Sequence, residues 1–474
     1  MNSTKIKKNL AIILLLITDL ISLILIFELA KAIRLYILPD IISLPPFTHT
    51  TISYIWIFPI YIIIFFYEKL YFKTFPFWDE IKIIIKSVII SLIVILSILF
   101  LGKLSQTYSR TLIITYNIFL ILLFPITRTL VRKLLYRSDL LVKKALIIGS
   151  NGLAEDIYSS LKKETNLCYK IAGFIDDRRD GKRIEHYKIH RGIKKIYSYI
   201  RLAHITDVII AKENIGTEEL SKLINHIQHR VENVIYVPEI SGIAAYGTDI
   251  KYFFNQQMIA FEIKNNLSNP ITYISKRIID YILSVIIFAV IIIPMIAVMI
   301  LIKLTSPGAV IYSQERIGKN GKPFRCHKFR TMFNDADERL NEILSKDPDK
   351  KKEWETYWKL KDDPRITPIG NFLRKTSLDE LPQIFNVLKG EMSLVGPRPV
   401  VQKEIDYYYK DEAEYYFKVP PGITGLWQVS GRSNTSYEQR VSIDSWYVKN
   451  WNLWLDIVIL LKTVRAVIRH EGAC

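Results

Sequence analysis

Two acidic residues stand side by side in a strongly basic chain. Asp379 and Glu380 lie in the stretch KTSLDELPQIFNVLKGEMSLVGPRP, residues 375–399, and two arginines, Arg374 and Arg398, are close to them. The whole chain has 64 Lys and Arg against 46 Asp and Glu, a formal net charge of +18. Paired carboxylates near guanidinium groups can hold a divalent metal and a phosphate, so this stretch is the first candidate for a catalytic site.

The acid pair stands at the start of a predicted helix, because apolar side chains recur at helical spacing at Leu381, Ile384, Phe385 and Leu388. Pro382 would lie in the first turn, where a helix tolerates proline. The structural interpretation is a capping box formed by Ser377 and Glu380, with Asp379 as an alternative N-cap. The functional interpretation is that the helix N-terminus keeps Asp379 ionised and attracts a phosphate. Because carboxylate and phosphate repel each other, arginine side chains or a metal ion would supply the counter-charge.

The chain has the composition of a membrane protein, because 50% of its residues are hydrophobic. Four N-terminal stretches approach the roughly 20 residues that cross a bilayer, at about 10–30, 52–67, 83–101 and 111–126. Lys and Arg cluster before the first stretch, between the second and third, and after the fourth, as expected of cytoplasmic segments. We therefore predict a four-helix transmembrane domain over 1–138, after which the chain continues in the cytoplasm.

Residues 143–262 predict a Rossmann-like α/β cytoplasmic domain, because strand-like stretches alternate with helical ones. The first strand leads into a turn that contains Gly149, Asn151, Gly152 and Ala154. A G-x-G-x-x-G fingerprint needs a further glycine, so the turn favours a scaffold over a dinucleotide site. Tyr158 and Lys162 repeat the Y-x-x-x-K spacing of short-chain dehydrogenases and epimerases, but on the first helix, and we predict that they lie on the surface.

A fifth apolar stretch, 278–302, is long enough to cross a membrane, yet basic residues lie on both of its flanks. Lys276 and Arg277 precede it, and Lys303 begins the basic segment that follows. Since both flanks are typical of the cytoplasmic side, we predict a helix that enters the bilayer, bends at Pro294 and returns. The alternative is a fifth crossing with an ordinary proline kink.

Three further features stand in the C-terminal region. The first two each have a structural and a functional interpretation, and the third predicts contact with a membrane. Arg398 stands between Pro397 and Pro399, which either fix it for a bidentate phosphate contact or form an exposed turn. The stretch VPPGITGLWQVSGRS contains Arg432 and indicates either a loop near a nucleotide or plain β-turns. Residues 444–470 have an apolar face beside basic residues, which predicts an amphipathic helix on an anionic bilayer.

The cysteines and the basic residues exclude other classes of function. Cys168, Cys326 and Cys474 are far apart and form no C-x-x-C pair, which argues against a disulfide framework and a zinc site. The basic residues lie largely beside apolar stretches and in the C-terminal third, without a nucleic-acid-binding signature, so no nucleic-acid partner is expected. An anionic membrane surface or a phosphorylated substrate explains the net charge better.

Five stretches together resemble the bacterial sugar transferases, a family of polyprenyl-phosphate hexose-1-phosphate transferases: KRIIDYILS, QERIGKNGKPFRCHKFRTM, DDPRITPIGNFLRKTSLDELPQIFNVLKGEMSLVGPRP, PGITGLWQVSGR and DSWYVKNW. The order of the regions is similar to the family's WbaP type, the undecaprenyl-phosphate galactose phosphotransferases. The resemblance implies a monotopic, α-rich catalytic domain at 270–474 with a re-entrant membrane helix at about 276–303. The family usually breaks that helix with Ser-Pro, whereas this chain has Ile293 and Pro294.

The resemblance also implies a reaction at the cytoplasmic face of the bacterial inner membrane. UDP-hexose and undecaprenyl phosphate would give undecaprenyl-diphospho-hexose and UMP, with Mg²⁺ as cofactor. Asp379 matches the nucleophile that forms a phosphosugar-enzyme intermediate, Glu380 matches its metal partner, and both are assigned to the metal. The other implied site positions are phosphate contacts at Arg374 and Arg398, a catalytic acid position at Asp444 and a basic position at Lys328. We place Arg432 with the phosphate contacts.

Two rival classes and the identity of the hexose stay open. Galactose follows from the overall likeness, and glucose is the alternative. A membrane-anchored nucleotide-sugar dehydratase or epimerase would need an intact glycine fingerprint and a suitably placed Y-x-x-x-K, and the chain has neither. A non-catalytic membrane scaffold would leave the acids and arginines no role beyond capping.

The expected partners are the UDP-hexose, undecaprenyl phosphate and the lipid bilayer, and a homodimer stays open as the state of assembly. The expected pathway step is the initiation of a surface polysaccharide, which could be O-antigen, capsule or exopolysaccharide. The residues do not decide among these three products.

Overall fold

The computed structural model describes residues 2–43, 51–104, 108–177, 183–192, 196–239, 249–253, 258–262, 270–357, 360, 363–430 and 436–468. It contains two compact units, Met1–Glu239 and Ile240–Cys474. Four of the described helices are long and apolar enough to cross a membrane: Ile6–Ile41, Phe77–Leu101, Arg110–Arg137 and Pro270–Thr305. By length and composition, the chain therefore has the helices of a membrane protein.

The first unit begins with apolar helices. They are α1 (Asn2–Tyr36), α2 (Leu38–Ile41), α3 (Ile57–Tyr67), α4 (Phe77–Leu101) and α5 (Arg110–Arg137), with a 3-10 turn at Thr51–Tyr54. Three of the four predicted spans are long helices, whereas the second is the shorter apolar helix Thr51–Tyr67. The reason is local, because Glu68 follows α3 as its C-cap and Lys69 has a φ of 60°, a left-handed backbone that ends the helix.

Two arginines of α5 form a buried ion-pair cluster between the helices. Arg128 pairs with Asp19 of α1, and its Nε lies 2.8 Å from Oε1 of Glu80 on α4. Arg132 Nη1 lies 3.2 Å from the other carboxylate oxygen of Glu80. All four side chains are at most 3% exposed. Two positive and two negative charges therefore neutralise each other between the helices.

A parallel sheet with helices on both faces completes the first unit. Its elements are β1 (Lys143–Ile148), α6 (Gly152–Lys163), β2 (Tyr169–Ile175), β3 (Arg183–Ile184), β4 (Tyr187–His190), α7 (Ile196–Ala203), β5 (Asp207–Ile210), α8 (Thr217–Ile227) and β6 (Asn233–Tyr236). The strand order is β3-β4-β2-β1-β5-β6, and the β3–β4 pair is antiparallel while the other pairs are parallel. Helix α6 packs on one face and α7 and α8 on the other. This confirms the predicted α/β domain with a parallel sheet.

Helix α6 corrects one expectation about this domain. Tyr158 is buried, its ring contacts Phe174, and its hydroxyl donates to Glu185 Oε2 at 2.9 Å. Lys162 is largely exposed and pairs with the same carboxylate at 2.8 Å. The predicted surface position is therefore right for Lys162 and wrong for Tyr158, because α6 packs the tyrosine ring against the sheet.

The second unit combines one long apolar helix with short helices and strand pairs. Its elements are β7 (Asp249–Phe253), β8 (Met258–Glu262), α9 (Pro270–Thr305), β9 (Ile311–Ile317), β10 (Pro323–Phe329), α10 (Ala336–Lys346), α11 (Pro348–Tyr357), α12 (Pro368–Thr376), α13 (Gln383–Lys389), β11 (Ser393–Val395), α14 (Gln402–Glu404), α15 (Ala413–Phe417), β12 (Gly422–Thr424), α16 (Leu426–Ser430), α17 (Tyr437–Lys449) and α18 (Leu453–Ile468). The β7–β8 and β9–β10 pairs are antiparallel, and β11–β12 is parallel. Most of the unit beyond α9 is therefore helical.

The beginning of α9 is held by a buried polar network. Lys276 Nζ lies 2.6 Å from Asp456 Oδ2 on α18 and donates to the carbonyl of Val395 at 3.2 Å. The same aspartate accepts from the Tyr447 hydroxyl at 2.7 Å and from the Trp451 indole at 3.1 Å. All of these donors are buried, so their bonds to one carboxylate fix the first turns of α9 to the C-terminal helices.

The end of α9 contacts the same core. Ile302 is fully buried there, and Arg330 Nη2 donates to the Ser306 carbonyl at 2.8 Å. Lys319, after α9 and β9, places its Nζ 3.7 Å from the ring centre of Tyr273, near the start of α9. Pro294 lies inside the helix, and the neighbouring Ile293 is 75% exposed. Both ends of α9 are thus attached to one folded unit, while its middle presents apolar side chains outward.

The predicted amphipathic helix divides into two parts. Trp451, Leu455 and Val458, which precede or begin α18, are buried in the core of the second unit. Leu461 and Val464, farther along α18, are exposed. Only the later part of the predicted apolar face is therefore available to a bilayer.

Candidate active site

The acid pair lies in a short turn between two helices. Helix α12 ends at Ser377, whose φ of 57° is left-handed, and a 3-10 turn at Leu378–Glu380 follows before α13 begins after Pro382. Ser377 makes no side-chain capping bond. The predicted capping box is therefore wrong, because a residue that closes α12 in the left-handed region lacks the extended backbone of an N-cap.

A lysine from a neighbouring strand faces both acids. Lys328 on β10 places its Nζ 2.7 Å from Oε1 of Glu380 and 3.8 Å from Oδ2 of Asp379. Arg398 Nη2 lies 3.7 Å from the same oxygen of Glu380. The exposed fractions are 13% for Asp379, 19% for Glu380, 30% for Lys328 and 37% for Arg398. Four of the predicted site residues are therefore together, and a ligand can reach them.

The charge state of Asp379 reflects opposing influences. Burial raises its pKa above that of a free aspartate, the Lys328 ammonium opposes the rise, Glu380 adds to it, and Arg374 opposes it. The sequence had suggested that a helix N-terminus keeps Asp379 ionised. In the structure the acid lies in a 3-10 turn, and Lys328 of β10 and Arg374 of α12 are the groups that favour its ionised form.

Arg374 supports the pair without direct contact. It lies on α12, and its Nε donates to Thr331 Oγ1 at 2.9 Å. Burial lowers its pKa, and the nearby Asp379 and Asp363 oppose that change. A half-buried guanidinium held by a threonine beside the acid pair has N–H groups left for a phosphate.

The segment that carries Arg398 is held by backbone bonds on both sides. Gly396 N–H donates to the Thr424 carbonyl at 2.9 Å, and Gly422 N–H donates to the Pro397 carbonyl at 2.8 Å. A Cβ at Gly396 would come within 2.6 Å of the Pro420 carbonyl oxygen, so only glycine permits this approach. Arg398 is therefore presented by a fixed loop.

Asp444 lies under that loop. The side chain is 3% exposed, accepts from the Tyr409 hydroxyl at 2.8 Å and faces the backbone N–H of Arg398. Burial raises the pKa of Asp444 to about 6, and the Arg440 guanidinium opposes the rise. This position suits a residue that supports Arg398 through its backbone, and the catalytic role expected for Asp444 stays a prediction.

One important residue was missed by the sequence analysis. Asn386 on α13 is fully buried, its Oδ1 accepts from the backbone N–H of His327 at 3.1 Å, and its Nδ2 donates to the Arg325 carbonyl at 2.8 Å. These bonds join α13 to the strand that presents Lys328, one residue after His327. The signal was an amide between the apolar residues of IFNVL, where a buried polar side chain needs a specific partner.

Two further predicted positions have different outcomes. Arg432 lies in 431–435, outside the described residues. Pro294 lies in the middle of α9, where its expected role is to bend the membrane helix and not to contact substrate.

Comparisons with known proteins identify the family of the chain. Residues 271–470 match the family model described as "Bacterial sugar transferase", and 68–238 match one described as "CoA-binding domain". An "Uncharacterized sugar transferase" of Haemophilus influenzae is 41% identical over 404 residues, 84% of each chain.

Two further relatives have more specific names. The "Undecaprenyl-phosphate galactose phosphotransferase" of Salmonella typhimurium is 39% identical over 405 residues, 84% of this chain and 83% of that protein. The "UDP-glucose:undecaprenyl-phosphate glucose-1-phosphate transferase" of Klebsiella pneumoniae is 29% identical over 352 residues, 72% of each chain. With the site residues gathered inside the matched region, the chain belongs to the bacterial sugar transferase family.

Proposed function

We propose that this chain transfers a hexose 1-phosphate from a UDP-hexose to undecaprenyl phosphate and releases UMP. The observation that carries the proposal is the reachable cluster of Asp379, Glu380, Lys328 and Arg398 inside the sugar transferase region. Such a cluster suits a diphosphate because cations offset its charge while a carboxylate approaches the phosphorus. The step would initiate the synthesis of a surface polysaccharide.

Galactose 1-phosphate is the favoured group, and glucose 1-phosphate is the second candidate. The galactose relative is 39% identical over 84% of this chain, whereas the glucose relative is 29% identical over 72%. The difference in identity and coverage favours galactose.

In the first step Asp379 acts as the nucleophile. One of its carboxylate oxygens forms a bond to the sugar-bearing phosphorus of the UDP-hexose. The bond from that phosphorus to the bridging oxygen breaks, and the electron pair leaves on UMP. The product is an aspartyl phosphosugar, and the Lys328, Arg374 and Arg398 side chains offset the phosphate charge during the attack.

In the second step the lipid phosphate resolves the intermediate. An oxygen of undecaprenyl phosphate bonds to the same phosphorus, and the bond between Asp379 and phosphorus breaks. Undecaprenyl-diphospho-hexose leaves, and the carboxylate of Asp379 is restored. Two steps allow a soluble substrate and a membrane substrate to use the same nucleophile in turn.

The carboxylates of Asp379 and Glu380 fit a magnesium ion. Proteins commonly hold Mg²⁺ through one or two carboxylates together with substrate phosphates, and these two side chains are such a set. Across the described residues no group of three or more His, Cys, Asp or Glu gathers as a metal site, so substrate phosphates would complete the coordination. When bound, the ion would neutralise charge on the diphosphate.

Helix α9 is proposed to enter and leave the membrane on its cytoplasmic side. A straight helix of 36 residues would span about 54 Å, more than the roughly 30 Å of bilayer hydrocarbon. Lys276 near the start of α9 contacts Asp456, and Ser306 just after its end contacts Arg330. Lys319 also contacts Tyr273. These contacts support a placement of both flanks of α9 on the same side of the membrane. A bend at Pro294 would satisfy both flanks.

The topology is tested by cysteine labelling in intact cells. In a chain whose own three cysteines are replaced, Ser275→Cys and Lys322→Cys change exposed residues on the two flanks of α9. Both should resist a membrane-impermeant thiol reagent until the cells are opened. Labelling of Lys322→Cys alone from outside would show that α9 crosses the membrane.

The reaction is tested by UMP release from the purified full chain. UDP-galactose, UDP-glucose and other UDP-hexoses are each supplied with undecaprenyl phosphate and Mg²⁺. We expect UMP release that depends on the lipid phosphate, with the highest kcat/KM for UDP-galactose. A higher kcat/KM for UDP-glucose would select the second candidate, and no release from any UDP-hexose would overturn the proposal.

A further inference from the structure

A cavity of about 90 Å³ lies in the first unit, where the apolar helices meet the α/β sheet. Lys7 and Lys8 of α1, Lys73 from the segment after α3, Arg132 of α5 and Lys143 of β1 contribute its basic walls. The apolar side chains of Ile12, Leu15 and Phe72 line it as well. The proposed transfer reaction uses none of these residues, so the cavity needs a separate explanation.

The cavity is lined by five basic residues and by two carboxylates, Asp139 and Glu232. Lys8 is paired with Glu232 at 2.6 Å, and Arg132 shares Glu80 with Arg128. In the described part of the chain, no carboxylate is ion-paired with the other basic residues of the walls, namely Lys7, Lys73 and Lys143. An anion is the ligand that this imbalance favours.

Two basic side chains of the walls are incompletely satisfied by their neighbours, although Arg132 pairs with Glu80 at 3.2 Å. Arg132 is 2% exposed, and its Nε–H has no hydrogen-bond acceptor among the described residues. Lys143 donates to Thr74 Oγ1 at 2.8 Å. Burial lowers the pKa of Lys143, Asp207 opposes this change, and the nearby Lys8 adds to it. An anion in the cavity would supply an acceptor and a counter-charge.

We propose that this cavity binds the phosphate of an anionic membrane lipid. The apolar side chains beside the cations come from α1 and from the segment after α3, and they give a lipid chain a surface next to its headgroup. Basic pockets between membrane helices on the cytoplasmic side commonly bind such headgroups. A soluble phosphate ester is also an anion, but it has no acyl chain to contact the apolar side chains of the cavity.

The bound lipid would join two parts of the first unit. Lys73 and Arg132 belong to the membrane helices and their connections, whereas Lys143 opens the first strand of the sheet. One phosphate that contacts both sets would hold the sheet to the helices through the lipid. The lipid therefore acts as a structural ligand at this junction and not as a substrate.

The proposal is tested by lipid binding to the purified full chain in detergent after removal of native lipid. Native mass spectrometry would measure binding of phosphatidylglycerol and of phosphatidylcholine to the wild type and to Lys7→Gln/Lys73→Gln. Both lysines are exposed, so the variant is expected to fold. Lys82→Gln/Lys133→Gln is the matched control, since these lysines are exposed but do not line the cavity.

We expect the wild type to prefer phosphatidylglycerol and Lys7→Gln/Lys73→Gln to bind it roughly twentyfold more weakly, with the control unchanged. Equal binding by the wild type and this variant would overturn the proposal. A second arm measures inorganic phosphate and glycerol 3-phosphate. Suppose that both phosphates bind the wild type, bind the variant more weakly and displace no lipid. The cavity would then be a site for soluble phosphates, and the lipid assignment would be wrong.

Lys143→Gln provides an independent check on the sheet side of the cavity. The variant should lose affinity for phosphatidylglycerol, and saturating phosphatidylglycerol should raise the melting temperature of the wild type more than that of the variant. An identical rise in both would contradict a phosphate contact at Lys143.

Discussion

The two compact units each hold a cluster of charged side chains, and the clusters differ in burial. In the first unit, Arg128 and Arg132 with Asp19 and Glu80 are at most 3% exposed. In the second, the side chains of the acid pair, Lys328 and Arg398 range from 13% to 37% exposed.

They differ also in how their charges are paired. Arg128 contacts both acids of the first cluster, whereas Arg398 stays 3.7 Å from its nearest carboxylate oxygen. Charges buried inside a helix bundle need oppositely charged partners close by, because removing a charge from water is costly. Charges that are to act on a ligand must stay reachable and incompletely paired. Arginine, aspartate and glutamate occur in both clusters, and burial and pairing suit the first cluster to folding and the second to the proposed chemistry.

The largest expected effect is that of Asp379→Asn, which should lower transfer by at least about a thousandfold, as expected when a nucleophile is removed. The amide keeps the shape of the side chain, so the protein should stay folded. Radiolabelled sugar phosphate should attach to the wild type and not to the variant. Asp406→Asn changes an exposed acid in the same unit and should keep normal turnover. Full activity in Asp379→Asn would refute the mechanism.

Arg128→Met should act on folding and not on chemistry. It leaves Asp19 and Glu80 with only Arg132, and an uncompensated buried charge costs about 3–5 kcal/mol of stability. Thermal unfolding in detergent would measure the loss, with the exposed Lys133→Met as the control. An unchanged melting temperature would show that the first cluster is not the structural element described above.

Arg398→Gln should reduce kcat/KM for the UDP-hexose by roughly 10–100-fold, the value of a charge-assisted hydrogen bond to a phosphate. Folding should be preserved because the loop is held by the backbones of Gly396 and Pro397. Arg339→Gln, which removes a partly exposed arginine of α10, is the control. If both variants behave like the wild type, Arg398 does not contact the substrate.

The smallest expected effect is a shift in pH dependence for Lys328→Gln. The Lys328 ammonium lowers the pKa of Asp379, so its removal should raise that pKa further above the ordinary aspartate value. Because the ionised carboxylate is the nucleophile, the acid limb of kcat/KM should move to higher pH, by less than about one unit at this partly exposed site. Lys328→Arg should keep the wild-type limb. A limb that moves to lower pH would contradict the assigned charge interaction.

Local patterns explain what could be predicted from the sequence. The alternation of strand-like and helical stretches indicated the α/β domain, and its strands lie at Lys143–Ile148, Tyr169–Ile175, Asp207–Ile210 and Asn233–Tyr236. The acid pair and Arg398 were recognisable from short motifs, and Lys328 was implied by the family resemblance. Their roles as nucleophile, metal partner and phosphate contacts stay predictions.

The remaining features depend on contacts between distant residues. Ser377 closes α12 with a left-handed backbone that its own side chain does not require, so the capping box was a reasonable error. The hydrogen bonds of Asn386 to β10 and the burial of Asp444 arise from packing of elements that are far apart in sequence. The amide within QIFNVLKG indicates that Asn386 needs a partner, but no pattern near Asn386 or Asp444 identifies the distant residues that they contact.

The bond between Lys276 and Asp456 also affects how the chain is made. The two residues are 180 positions apart, so at roughly 5–20 residues per second the lysine waits about ten to forty seconds on the ribosome for its partner. During that interval the apolar residues of α9 have been synthesised, but the helices that hold its first turns have not. Lipid or a chaperone must cover α9 first, and the catalytic unit is then completed around a helix already at the membrane.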